Sequence, residues 1–192
     1  MKRILVVIMV LSFALSIASA GLISFGFGAH ALNSNPFVDN TFVPGTVEDW
    51  DFGAEMRLRV LFLEGLVNGQ YTASDKVEGL VTVGTSMSLF DIVHFGVGVG
   101  PSFGLEITDS GEIGWLKMGD GPAENTNDLG EVLKGGLLHY RAHGDVKLGR
   151  ISFGFTYQVP TKGYTMENDN VLKIGPDWDQ ALVGTTLLFW LF

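Results

Sequence analysis

The chain has 192 residues, a formal net charge of −9 at pH 7 and no cysteine. This acidic balance argues against a nucleic-acid-binding protein, because such proteins neutralise phosphates with clustered lysine and arginine. The lack of cysteine excludes a disulfide-stabilised fold and a lipoprotein acylated on cysteine.

Residues 1–20 have the pattern of a secretory signal peptide. Residues 2–3 are basic, residues 4–15 form an apolar run, and the small residues 18–20 fit a cleavage site. The run is short for a membrane span, and no later stretch is long and apolar enough for a transmembrane helix. We therefore divide the chain into an export signal at 1–20 and one mature domain at 21–192.

The mature domain contains eight segments in which apolar and polar side chains alternate, as in strands whose two faces meet different surroundings. The clearest is a hairpin within 136–159, where His139, Arg141 and His143 alternate with apolar side chains. The eight predicted strands are 22–31, 50–63, 66–72, 77–89, 93–107, the two strands within 136–159, and 179–192.

The connections between these segments alternate between short and long. Tight turns are predicted at 64–65, 90–92 and 149–150. The long connections are polar and acidic, at 32–49, 108–134 and 161–178. Hairpins centred on the tight turns place polar residues opposite polar ones: Arg59 opposite Gln70, Ser88 opposite His94 and Arg141 opposite Gln158. An up-and-down barrel in an outer membrane has this asymmetry of short turns and long loops.

Alternation alone does not say which face of the sheet is inside, since a soluble barrel around an apolar ligand has the same pattern. The glycine-rich polar face of 93–107, the length of the strands and the aromatic residues near strand ends favour a membrane barrel. A lipid-facing arginine near the bilayer midplane costs about 2–4 kcal/mol. In a membrane, the charged face must therefore line the lumen.

The charged lumen face is the main candidate for chemistry. Its predicted members are Glu55, Arg57, Arg59, His94, Glu106, His139, Arg141, His143, Asp145 and Lys147. Both charge signs are present, and buried charges persist only when paired, which favours a salt-bridged core that fills the lumen. The functional alternative is a gated conduit for water or small ions. A hydrolase using His143 with Thr156 or Ser152 would lack space for a substrate.

Two Asp-Trp-Asp sequences predict a belt of aromatic residues at the membrane interface. They place Trp50 and Trp178 at the loop-side starts of the second and eighth strands. Counting by twos then puts Trp178, Trp190 and Phe192 on the lipid-facing side of the last strand. This assignment gives the last strand an unusually apolar inner face, at positions 183, 185, 187, 189 and 191.

A second cluster of polar residues is predicted at the loop-side rim. His30, Asp51 and Asp179 would form a weak candidate site for a divalent cation. Solvated rim groups explain the same residues more simply, so neither a metal nor a cofactor is predicted.

With its signal sequence, eight strands, alternating connections and terminal Phe192, the chain resembles small bacterial outer-membrane barrels, the OmpA transmembrane domain and OmpX. The resemblance implies an all-β, eight-stranded antiparallel up-and-down transmembrane β-barrel in the cell outer membrane. It also implies contact with outer-membrane lipid, and an assembly machinery that recognises Trp190 and Phe192 in the C-terminal strand.

The function we expect for such a barrel is a structural or surface-interaction role. Its polar lumen would be largely plugged, with minor passage of small solutes at most. We expect a monomer with no nucleic-acid partner and no enzymatic activity. The first alternative is a secreted soluble barrel that binds an apolar ligand, and the second is an outer-membrane lipid-modifying enzyme.

Overall fold

The structure, a computed structural model, describes residues 22–33, 36–38, 41–42, 45–72, 76–107, 113–119, 123–168 and 170–192. The predicted signal peptide at 1–20 lies outside this part of the chain. No helix of the described residues is long and apolar enough to cross a membrane.

The described residues form eight long antiparallel strands. They are β1 (Ile23–Asn33), β2 (Trp50–Val60), β3 (Leu63–Thr72), β4 (Lys76–Leu89), β5 (Val93–Ile107), β6 (Leu137–Leu148), β7 (Ile151–Thr165) and β8 (Leu182–Trp190). Each strand pairs with the next one along the chain, and β8 pairs with β1. The sheet therefore closes on itself, and the predicted eight-stranded up-and-down barrel is confirmed.

The exterior of the barrel is apolar and its interior is charged. Val97 and Phe155 are 58% and 54% exposed on the outer surface, whereas Glu55 and Arg57 are 1% and 0% exposed inside. Strand geometry produces this division, because successive side chains point to opposite faces of a sheet. The soluble alternative required an apolar interior and is therefore wrong.

The two ends of the barrel differ as the connections predicted. Tight turns lie at one end, which we call the turn end, at Leu61–Phe62, at 90–92 and at Gly149–Arg150. Leu61, Phe90, Asp91 and Gly149 have positive φ in these turns. The other ends of the strands, where Asn33, Trp50, Thr72 and Lys76 lie, form the opposite end, which we call the loop end.

Two of the three predicted hairpin registers are confirmed and one is wrong. Arg141 pairs with Gln158, and Ser88 pairs with His94, as predicted. The first tight turn, however, precedes 64–65, so Arg59 pairs with Glu64 and not with Gln70. Side chains return to the same face at every second residue. A register displaced by an even number of residues therefore still places polar residues opposite polar residues.

The last strand presents the opposite face from the one predicted. Thr186, Leu188 and Trp190 point inside, while Leu187 and Phe189 are exposed outside. A 3₁₀ turn at Trp178–Gln180 precedes the strand, which begins only at Leu182. Both faces of β8 are apolar, so alternation could not distinguish them. The prediction that the odd positions of this strand point inside is therefore wrong at 185, 187 and 189.

The connection after β5 contains structure where a polar loop was predicted. Strands Ile113–Lys117 and Glu124–Thr126 extend the sheet along the loop-end part of β5. This part lies beyond Pro101, the last β5 residue that pairs with β6. Helix α1 (Leu129–Gly135) follows, with the Asp128 side chain accepting a hydrogen bond from the Gly130 amide at 2.7 Å.

Candidate functional site in the lumen

Charged residues of β2 and β6 approach one another across the lumen. β2 supplies Glu55, Arg57 and Arg59, and β6 supplies Arg141 and Asp145, all at alternate positions that face inward. The two strands are four apart in either direction around the closed sheet, so they form opposite walls. Side chains that extend from both walls therefore meet near the barrel axis.

A single network of ion pairs joins these residues. Arg57 donates hydrogen bonds through Nε to Glu55 and through Nη1 to Asp145. Arg141 Nη2 donates to the other oxygen of Glu55, and the same nitrogen lies 3.2 Å from Thr156 Oγ1. Glu55 thus bridges the guanidinium groups of two arginines from opposite walls.

Glu64, on β3, completes the network. Arg59 Nε donates to Glu64 Oε2 at 2.6 Å, and Arg59 Nη2 lies 3.3 Å from Asp145 Oδ2. His143 Nε2 lies 3.2 Å from Glu64 Oε1. We call the six ionised residues the ion-pair core: Glu55, Arg57, Arg59, Glu64, Arg141 and Asp145.

The ion-pair core is formally neutral, with three guanidinium groups matched by three carboxylates. All six residues are buried. An unpaired charge in a low-dielectric interior is strongly destabilising, whereas paired and hydrogen-bonded charges can be retained. This matching explains how so many charges are held inside a narrow barrel.

Glu64 was missed by the sequence analysis because it was assigned to a turn. Its alternation with Asn68 and Gln70, which are also buried, could have placed it on the inner face of the third strand. A second signal for a missing lumen residue was the excess of basic over acidic residues among those predicted on β2 and β6. A neutral lumen required a further carboxylate from another strand.

Glycines make room for the large charged side chains. A Cβ atom at Gly96 would lie 2.2 Å from His143 Cε1, and one at Gly154 would lie 1.9 Å from Asp145 Oδ1. Real Cβ atoms do not approach neighbours so closely. Gly96 on β5 and Gly154 on β7 therefore leave the space that the side chains of His143 and Asp145 on β6 occupy.

Replacing Gly96 with alanine is expected to destabilise the barrel by about 1–3 kcal/mol, because the added methyl group would displace the His143 ring. A urea titration of the folded barrel in lipid vesicles measures the change. Gly65→Ala is the control, since no atom lies within 4 Å of a Cβ at Gly65. Equal stability of the two variants would contradict the close packing between Gly96 and His143.

Trp190 fills the turn end of the lumen. It is 2% exposed, and its Nε1 donates to Ser152 Oγ at 2.9 Å. Arg59 Cζ lies 4.6 Å and Lys147 Nζ 5.5 Å from the centre of the indole ring. The His94 ring lies 6.4 Å away. The prediction that Trp190 faces lipid is therefore wrong, because a buried indole can satisfy its N–H and pack against cations.

The position of Trp190 predicts how its fluorescence responds to lipid. In vesicles of lipids with brominated acyl chains, Trp190→Phe should leave the quenched part of the emission intact, because an enclosed indole does not contact bromine. Trp178→Phe should remove part of the quenched emission, since Trp178 is 62% exposed. A loss of quenching in Trp190→Phe would contradict its position inside.

The other predicted interfacial aromatics lie outside the lumen. Trp178 stacks on Tyr157 on the outer face of the loop end, with ring centres 6.3 Å apart. Trp50 is the first residue of β2 at the same end, and exposed Phe192 follows β8 at the turn end. A role for these three in a membrane-interface belt stays a prediction.

The remaining predicted lumen residues lie at the two ends of the barrel or beyond it. His94, whose Nδ1 lies 2.5 Å from Ser88 Oγ, and Lys147 belong to the turn end with Trp190. His139 lies at the loop end, where its Nδ1 is 3.0 Å from Leu137 O. Glu106 lies beyond the closed part of the barrel, so its assignment to the lumen is wrong.

The weak metal site at the rim is not assembled. His30 is buried in the lumen, Asp51 is half-buried near the start of β2, and Asp179 is exposed in the 3₁₀ turn before β8. In the described ranges, no group of three or more His, Cys, Asp or Glu residues could hold a metal ion. Asp179 is separated from His30 and Asp51 because it lies in the 3₁₀ turn before β8 and not, as predicted, in the strand itself.

A cavity of about 290 Å³ with mixed polar and apolar walls occupies the loop end of the lumen. β3 to β8 contribute to its walls, and residues 118, 119 and 123 of the connection after β5 line it from outside the barrel. Its polar lining residues are Asn68, Gln70, Glu78, Ser102, His139, Gln158 and Gln180. The ion-pair core lies further along β3 and β6, towards the turn end.

An apolar belt around an ionised interior defines this chain as a transmembrane β-barrel of the outer-membrane type. No protein-family model and no curated protein matches the sequence. The chain is similar to two solved structures of Ail, the attachment invasion locus protein of Yersinia pestis. One, in complex with the heparin analogue sucrose octasulfate, has a TM-score of 0.40 and 13% identity, covering 88% of this chain and 95% of that chain. The other has a TM-score of 0.37 and 12% identity, covering 88% of this chain and 93% of that chain.

Proposed function

We propose that this chain is a bacterial outer-membrane barrel whose lumen is closed to solutes and whose role is structural or interactive at the cell surface. The ion-pair core carries the proposal. Its side chains extend from β2, β3 and β6 and bond to one another near the barrel axis. A solute would have to break several buried ion pairs to pass, and each would be left uncompensated.

The partners that we propose follow from the two surfaces of the barrel. The exposed apolar belt would contact the acyl chains of outer-membrane lipid. The C-terminal strand, which ends near the exposed Phe192, would engage the barrel assembly machinery. The loop end would provide contacts with other molecules, and the barrel would act as a monomer without enzymatic activity.

Conductance measurements test whether the lumen is closed. The mature barrel, inserted into a planar lipid bilayer, should give no stable single-channel steps. A variant with Glu55, Arg57, Arg141 and Trp190 all replaced by alanine should conduct, because it removes the central part of the ion-pair core and the indole that fills the turn end. Stable steps from the unaltered barrel would overturn the proposal.

Fractionation of cells tests the proposed location. The protein should remain with the envelope pellet after a salt wash, and its gel mobility should differ between boiled and unboiled samples. Release into the soluble periplasmic fraction would contradict an outer-membrane location.

A further inference from the structure

The loop-end cavity contains a hydrogen-bond donor and an acceptor that have no protein partner. Asn68 Nδ2 and Gln158 Oε1 are both buried without a hydrogen bond, and their residues are 4% and 5% exposed. Most buried polar atoms in folded proteins are hydrogen-bonded, so two unpaired atoms on one cavity require an explanation.

These two amides lie on opposite walls of the cavity. Asn68 is on β3 and Gln158 on β7, and the two strands are four apart in either direction around the barrel. A molecule that satisfied both amides would need an acceptor on one side and a donor on the other. Hydroxyl groups serve both purposes, since each has one donor and two acceptor positions.

The charge of the lining indicates the class of molecule. Among the described residues that line the cavity there is neither lysine nor arginine, and Glu78 is the one carboxylate. An anion would therefore meet no cation among these residues, and the amides provide neutral hydrogen bonds. Phe103 adds an apolar surface, and its ring is held 5.9 Å from the Trp115 ring, centre to centre.

The size of the cavity limits the molecule further. Its volume of about 290 Å³ lies just below the usual range of small-molecule sites, about 300–1,000 Å³. Mixed polar and apolar walls suit a ring that has hydroxyl groups at its edge and C–H groups on its faces.

We propose that the loop-end cavity binds a neutral, hydroxyl-rich molecule of monosaccharide size, held between Asn68 and Gln158. At one wall, Asn68 Nδ2 donates a hydrogen bond to a hydroxyl oxygen of the bound molecule. At the opposite wall, Gln158 Oε1 accepts a hydrogen bond from another of its hydroxyl groups. The ion-pair core lies beyond the cavity, so the site is a pocket that opens towards the loops. This binding does not depend on whether the lumen conducts ions.

Calorimetric titration of the mature barrel in lipid nanodiscs tests the proposal. The probes are glucose, galactose and N-acetylglucosamine, with putrescine and inorganic sulfate as charged comparisons. At least one sugar should bind saturably, and Asn68→Leu or Gln158→Leu should each weaken that binding by roughly tenfold or more. Asn125→Leu is the control, because Asn125 is an exposed amide that does not line the cavity.

A variant at the mouth of the cavity keeps the test decisive if a leucine variant does not fold. Ala123 is exposed and lies outside the barrel strands, so Ala123→Trp should fold and block entry. The heat-dependent change in gel mobility verifies folding. The proposal is overturned if no sugar binds, if only putrescine or sulfate binds, or if sugar binding survives both Ala123→Trp and whichever leucine variants fold.

Discussion

Replacing Glu55 with glutamine is expected to lower the free energy of unfolding by about 3–5 kcal/mol, because it leaves the buried guanidinium group of Arg141 without a carboxylate partner and Arg57 with Asp145 alone. Glu55 accepts hydrogen bonds from Arg57 and Arg141, and it is 1% exposed. Glutamine has the same shape but carries no charge. The predicted loss is large against a typical net stability of about 5–15 kcal/mol. Urea titration in lipid vesicles, followed by tryptophan emission, measures it.

Two comparisons separate this effect from a general sensitivity to mutation. Glu48→Gln removes a carboxylate from an exposed position in the loop-end 3₁₀ turn, and it should leave the unfolding midpoint unchanged. Combining Glu55→Gln with Arg141→Gln should cost less than the sum of the two single changes, because the partners are removed together. Strict additivity, or an unaltered midpoint for Glu55→Gln, would show that Glu55 does not bridge the two arginines.

Replacing Val97 with arginine is expected to destabilise the membrane-inserted barrel by about 2–4 kcal/mol, because it puts a charge among acyl chains. Val97 lies midway between Val93 and Pro101, the limits of the pairing between β5 and β6. Its own partners, Thr85 and Ala142, are also exposed on the outer face. The arginine would therefore be far from both ends of the apolar belt.

Val47→Arg is the matched control for Val97→Arg. Val47 is 77% exposed in the 3₁₀ turn at Val47–Asp49, outside the barrel strands, so an arginine there should be tolerated. Folding yield into vesicles and urea stability should fall for Val97→Arg alone. Equal behaviour of the two variants would show that Val97 does not face hydrocarbon, and would contradict the orientation of the whole barrel.

Alternation of side chains was sufficient to predict the strands and the inward direction of most charges. The pattern is strong where the two faces differ in polarity, as in β2, β5 and β6, and there the strand positions agree with the structure. Hairpins with short turns and clear faces, such as the one around Gly149, were also predicted in the correct register.

Alternation failed where the two faces are alike or where an even displacement leaves the pattern unchanged. In β8 both faces are apolar, so the orientation of Trp190 depends on packing inside the lumen that no local pattern encodes. In the β2–β3 hairpin the predicted register was displaced by an even number of residues, so the polar pairing still looked correct and Glu64 was not recognised as a lumen residue. The loop-end cavity depends on side chains from six strands, and its shape follows only from the closed three-dimensional arrangement.

The ion-pair core has a consequence for how the barrel enters a membrane. Arg57 and Asp145 are 88 positions apart in the chain, so neither can be neutralised by the other until β2 and β6 are both in place. An intermediate with only the first strands embedded could pair Arg57 with Glu55 and Arg59 with Glu64, but it would expose these ion pairs to hydrocarbon because the opposite wall of the barrel would be missing. Insertion should therefore be concerted, with the cylinder closing before or as it crosses the bilayer, and hairpin-by-hairpin entry should be disfavoured.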